Sequence, residues 1–261
     1  MKPHARDLVD HRLLHVEARS RAETHAEHEL HTFFQVSTLD SLFAGKLEGD
    51  VTFAELAEHG DLGIGTLNGL DGEMIAVDGR FMRADADGAI GDVPPDARTP
   101  FAVVAFFEPD DSFAIEGPLD HDEFLERLGR GSSPSCAVRI DGEFDLVRAR
   151  SVPRQRPPYR SLAEVAHEQH VFELSDLTGT MVGFRFPDYA RGLEVPGYHL
   201  HFVDSERSRG GHVLACRPRR VEVQVDHSSE LHVELPPEVG LDESGGPSQE
   251  EIRGIEGGGT G

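Results

Sequence analysis

Along most of this chain apolar residues alternate with polar ones, so strands dominate the expected elements. Residues 33–37 read as a short strand and 38–43 as a short helix. Thr52 with Glu55 forms a capping box that opens a helix stopping near Gly60. Residues 63–67, 73–77 and 80–84 make a meander, its last two runs joined by Asp78-Gly79, a two-residue hairpin signal. The apolar run 101–107 suits a buried strand, with a weaker strand at 112–115. Asp120 with Glu123 caps a helix ending before Gly129, and a second Asp-Gly, Asp141-Gly142, predicts a hairpin between strands 136–140 and 143–151. After it come a capping box at Ser161 and Glu164 and strands at 171–174, 180–186, 221–225 and 230–235.

The pattern divides the chain. Residues 1–29, rich in Glu, His, Arg and Ala with weak helical spacing through Leu8, Leu13, Leu14 and Val16, are expected to be a flexible extension, a frayed helix or a disordered arm. A first domain spans 30–152, and the proline-rich stretch 152–158 reads as a stiff linker. A second domain spans 153–240. Residues 241–261 form a Gly/Glu-rich tail in which Ser248 to Glu251 caps a possible short helix. The fold class is β-rich α/β, mixed α+β, without a β-α-β run or a glycine-rich phosphate loop.

The chemistry concentrates in residues 197–216. His199 and His201 are two apart in a strand-like run, so both imidazoles project from one face. The polar, glycine-ended insert 204–211 is built to reverse the chain. A symmetric return brings His212 opposite His201. Three imidazoles then converge and leave coordination positions open, the pattern of a catalytic metal site rather than a structural one. The chain holds 15 His, so an H-x-H pair alone is weak evidence. Such a set accommodates zinc, iron, nickel, copper or cobalt.

Charge sets the remaining bounds. Asp and Glu number 48 against 25 Lys and Arg, a formal net charge of −23, and the lysines are Lys2 and Lys46. That field disfavours nucleic acid and anionic membranes as partners. It also suggests a surface adapted to high salt, for which the melting temperature rises in molar KCl; an unchanged or lowered one removes the idea. The N-terminus has no apolar segment of signal-peptide type, and Cys136 and Cys216 sit in apolar runs as buried thiols, so the expected location is the cytoplasm.

Taken together, these stretches resemble the acetolactate decarboxylase family over about residues 32–256. The likeness rests on 34–38 (FQVST), 60–75 (GDLGIGTLNGLDGEMI), 99–104 (TPFAVV), 150–153 (RSVP) and 197–202 (GYHLHF) with His212. It implies an N-terminal mixed sheet, a C-terminal antiparallel sheet, a homodimer, and conversion of 2-acetolactate to acetoin and carbon dioxide. It further implies a Zn2+ ion on His199, His201 and His212, with Glu73, Arg150 and a C-terminal Glu as catalytic groups. The C-terminal Glu matches Glu256, with Glu250 and Glu251 as alternatives. Thr66, Glu73 and Arg150 are then the substrate contacts.

The chemistry is consistent with those groups. Loss of carbon dioxide leaves an electron pair that the neighbouring ketone takes up as an enediolate, which a Lewis acid stabilises. A guanidinium suits the substrate carboxylate, and a carboxyl group can deliver the proton. Glu256 is assigned to protonation and Glu73 to orienting the substrate or moving the proton, roles that can be exchanged. Two other readings compete. A cupin-like metal enzyme would recruit Glu206 beside His199 and His201. A non-catalytic zinc module would close its site with Cys216, two rungs beyond His212.

Overall fold

The computed structural model describes residues 15–19 and 30–235. In chain order its elements are β1 (His15–Arg19), β2 (Thr32–Val36), α1 (Leu39–Phe43), β3 (Val51–Thr52), α2 (Phe53–Leu56), β4 (Leu62–Thr66), β5 (Glu73–Val77) and β6 (Arg80–Ala84). There follow β7 (Ile90–Asp92), β8 (Arg98–Thr99), β9 (Ala102–Ala105), β10 (Asp111–Glu116), α3 (His121–Arg130) and β11 (Cys136–Ser151). The last are α4 (Leu162–Ala166), β12 (His170–Phe186), β13 (Gly197–Asp204), β14 (Gly210–His227) and β15 (Glu230–Glu234).

Two sheets organise the molecule. The first runs β1-β15-β2-β9-β4-β5-β6-β7 and is mixed, because β15 lies parallel to both β1 and β2. The second runs β10-β14-β11-β12-β13 and is antiparallel, with β13 also reaching β14. A mixed sheet and an antiparallel sheet are therefore present as expected. Sheet membership, however, changes at residues 106–110 rather than at the prolines of 152–158, and β15 returns to the first sheet. The proline stretch is packed, not spanning: Gln155 N donates to the Gly69 carbonyl at 2.6 Å.

The sheets stack through a shared apolar layer in which Phe33, Ile64, Ile75 and Val77 meet Ala137, Val182, Phe184 and Val203. The outer face of the first sheet packs on α2, through Phe53 and Leu56 against Phe34, Met74 and Val104. The outer face of the second packs on α3, through Phe124 and Leu128. Leu39, Leu42 and Leu162 from α1 and α4 close one end of the stack with Leu70, Phe101 and Val152.

Several local expectations hold. Both capping boxes form, at Thr52 with Glu55 and at Ser161 with Glu164, and Asp120 accepts the Glu123 N–H. Asp78-Gly79 turns β5 into β6, both residues having positive φ.

Other expectations fail for identifiable reasons. Asp141-Gly142 is no hairpin, because β11 runs unbroken from Cys136 to Ser151. A Cβ on Gly142 would stand 2.2 Å from the Arg220 carbonyl oxygen, so this glycine admits a neighbouring strand. Asp141 accepts from Thr180 Oγ1 at 2.6 Å across the sheet and from Arg139 Nε at 2.7 Å along its own strand, not within a turn. Strands 171–174 and 180–186 fuse into one β12. Helix α3 passes through Gly129 and stops at Gly131. Residues 15–19 are a strand, not a helix: the edge of β15 supplies backbone partners that weak helical spacing cannot match. The rest of the 1–29 extension and the 241–261 tail lie outside the described residues.

Candidate metal centre

The site follows from strand parity. On β5, Ile75 and Val77 point into the layer between the sheets, so Glu73, two residues earlier, points the same way. On β4, Leu62 and Ile64 do so, and Thr66 continues the row. From the opposite sheet, Val203 fixes the face of β13 that carries His199 and His201. On β11, Val147 and Ala149 face α3, which leaves Arg150 facing inward. His212 pairs in register with both Arg150 and His201. The candidate groups are thus the polar end of an apolar inter-sheet layer.

The three imidazoles meet as the hairpin predicts. His212 Nδ1 lies 3.2 Å from His199 Nε2 and 3.4 Å from His201 Nε2. All three facing nitrogens fall within 4.8 Å of one another, and all three residues are buried. His201 Nδ1 is 2.8 Å from the Met74 carbonyl, which can only accept, so Nδ1 carries the hydrogen and Nε2 turns its lone pair toward the cluster. Burial, and after it the Arg150 guanidinium, pushes the His199 imidazole down to about 3. Burial, with His199 next, holds His201 well below its usual range against the opposing pull of the Met74 carbonyl. Neutral imidazoles are what a metal ion requires. Tetrahedral coordination with bonds of about 2.0–2.1 Å spaces its nitrogens about 3.3 Å apart, so the donor set fits such an ion.

Beside them, Arg150 Nη1 donates to Glu73 Oε1 at 2.9 Å, both side chains being only 8% exposed. Glu73 Oε2 stands 3.7 Å from His201 Nε2. Thr66 Oγ1 donates to the Gly72 carbonyl at 2.8 Å and keeps acceptor capacity toward the cavity. These groups line one cavity of about 450 Å³, mouth included, whose other side is apolar: Leu39, Leu42, Leu70, Phe101, Val152 and Leu162. Sequence reasoning missed that wall and the Met74 carbonyl. The left-handed turn that Gly69 and Gly72 imply before Glu73 was the available signal for Leu70.

Two predicted roles are corrected. Cys216 is no fourth ligand, because a register shift between Arg148 and Ala149 places Leu214 as an extra residue and rotates Cys216 to the α3 side. Its Sγ lies 3.7 Å from His121 Nδ1, and burial raises the thiol to about 12. Glu206, the cupin-type candidate, is exposed in the turn between β13 and β14. Glu256, Glu250 and Glu251 lie outside the described residues.

A pH dependence follows for metal-free protein. The unfolded chain binds a proton at His199 near pH 6.5, whereas the folded chain resists until about pH 3. This contribution is therefore complete above pH 6.5 and is lost as pH falls toward 3. Thermal melts at about pH 8, 6 and 4.5 should fall progressively, and less steeply in His199→Asn. Equal slopes in the two proteins would refute the assignment.

Comparison with known proteins places the chain in a family. The sequence profile described as alpha-acetolactate decarboxylase matches residues 33–243. The alpha-acetolactate decarboxylase of Methylococcus capsulatus is 47% identical over 212 residues, covering 80% of this chain and 82% of that protein. That of Methanosarcina mazei is 44% identical over 206 residues, covering 78% and 72%. The crystal structure of alpha-acetolactate decarboxylase from Bacillus subtilis strain 168 superposes with a TM-score of 0.82 at 35% identity, covering 87% of this chain and 99% of that one.

Proposed function

The chain belongs to the alpha-acetolactate decarboxylase family, and on that footing we propose that it converts 2-acetolactate to acetoin and carbon dioxide using a zinc ion held by His199, His201 and His212. The observation that carries this reading is the meeting, in one cavity, of three buried imidazoles with the Glu73–Arg150 pair. When bound, zinc supplies Lewis-acid stabilisation for the negative charge that develops on the substrate's ketone oxygen as carbon dioxide leaves.

The chain's own residues do the rest. The Arg150 guanidinium, oriented by Glu73, holds the substrate carboxylate through its planar fork and so fixes the group that departs. Thr66 Oγ1 offers an acceptor to the substrate hydroxyl. Glu73 keeps Arg150 in place and orients the substrate from the side of its Oε2 atom, while Glu256 delivers the proton to the carbon that has lost carbon dioxide. The apolar wall excludes water and receives the alkyl groups. The reading carries with it a cytoplasmic homodimer. No described helix is long and apolar enough to cross a membrane, and the two cysteines are free and buried.

The deciding experiment is acetoin release from racemic 2-acetolactate before and after chelation, with zinc added back. Activity that disappears and returns supports the reading. A folded, zinc-loaded sample that releases no acetoin sinks it.

A further inference from the structure

Within the apolar wall Leu70 stands apart. Its φ is 52°, in the left-handed region that glycine and asparagine occupy at little cost and that a bulky side chain avoids. The residue is 2% exposed and forms part of the cavity surface. Its loop is fastened on both flanks. Gly69 N donates to the Leu47 carbonyl at 2.7 Å, and Gly72 N donates to the Leu70 carbonyl at 2.8 Å. Asp71 pairs with Arg83 at 2.8 Å. A Cβ on Gly69 would stand 2.9 Å from the Gln155 carbonyl oxygen, and one on Gly72 2.2 Å from that of Ala84. The backbone at 70 has no room to retreat.

Glycine or asparagine would make this turn with less strain. A leucine held there against its own preference contributes through its side chain, and that side chain faces the substrate space. Three other wall residues differ, since Leu39, Leu42 and Leu162 stand on helices of only five residues each. A wall whose backbone is pinned discriminates by size, whereas one that relaxes does not.

We propose that Leu70 sets the size of the alkyl group accepted on the substrate carbon that bears the carboxylate. The proposal rests on the decarboxylase reading. That carbon also bears a hydroxyl; the polar wall takes the hydroxyl and the carboxylate, which leaves the alkyl group to the apolar wall. The relevant ligands are 2-hydroxy-3-oxo acids whose substituent is methyl, as in 2-acetolactate, or ethyl.

The test measures kcat/KM for the methyl and ethyl acids in the wild type, Leu70→Ala, Leu70→Gly and Leu162→Ala. The ethyl-to-methyl ratio should rise about tenfold or more in both Leu70 variants, the range one methylene commands in an apolar pocket. In Leu162→Ala it should move by less than about threefold, below that range. Leu70→Gly suits the left-handed turn and keeps the test available if the alanine variant does not fold. A merely structural role lowers both substrates together and leaves the ratio unmoved, which overturns the assignment. So does an equal change in Leu162→Ala. A wild type inactive on 2-acetolactate overturns the decarboxylase reading itself, and this proposal with it.

Discussion

His212→Ala is expected to fold, to lose its metal, and to release acetoin more than about 100-fold more slowly, a loss beyond that usual for outer-shell changes. His212 is the position at which β14 pairs with two strands at once, with Arg150 on β11 and His201 on β13. Its Nδ1 is also the atom within 3.4 Å of both other imidazole nitrogens. Removing it leaves two ligands, which do not hold an ion against water. Folding should survive, because the layer between the sheets continues through Val203 and Ile75 without it. Metal content, circular dichroism and initial rates together check the result. A variant that keeps near-stoichiometric metal and activity within tenfold of the wild type would remove His212 from the site.

The second large effect separates stability from chemistry. Arg150→Ala leaves the Glu73 carboxylate buried without its guanidinium, and breaking such a pair costs about 3–5 kcal/mol. At about 2–4 °C per kcal/mol for a chain of this size, the metal-free variant should melt roughly 6–20 °C lower. The double variant Glu73→Gln, Arg150→Met removes both charges and should recover most of that loss, since the partners are in contact at 2.9 Å and their effects are coupled. Activity should not recover, because on the proposed function the substrate carboxylate has lost its fork. A double variant less stable than Arg150→Ala, or one that regains activity, contradicts these roles for Glu73 and Arg150. Stability returns while activity stays lost, a separation that no general loss of folding reproduces.

For the histidine pair, its hairpin and the helix caps, rules that act between near neighbours sufficed. Alternation at period two placed His199 and His201 on one face, the polar insert returned the chain so that His212 met His201, and both capping boxes formed where Thr52 and Ser161 stood three residues before a Glu. The family motifs also singled out Glu73 and Arg150, which pair in the cavity lined by the three histidines.

Tertiary structure decided what depends on partners remote in sequence. Glu73 and Arg150 are 77 residues apart and meet only because two sheets stack. The Met74 carbonyl that orients His201 comes from the opposite sheet, 127 residues away. Asp141-Gly142 carries the local signature of a turn, yet Gly142 is needed small so that the Arg220 carbonyl can approach. The single extra residue at Leu214 turns Cys216 away from the histidines, a change of face that no count along β14 alone reveals. The physical reason is common to these cases. Side-chain direction within a strand is fixed by local backbone geometry, whereas register, bulges and close backbone approach are fixed by the neighbouring strand, which the local sequence does not specify.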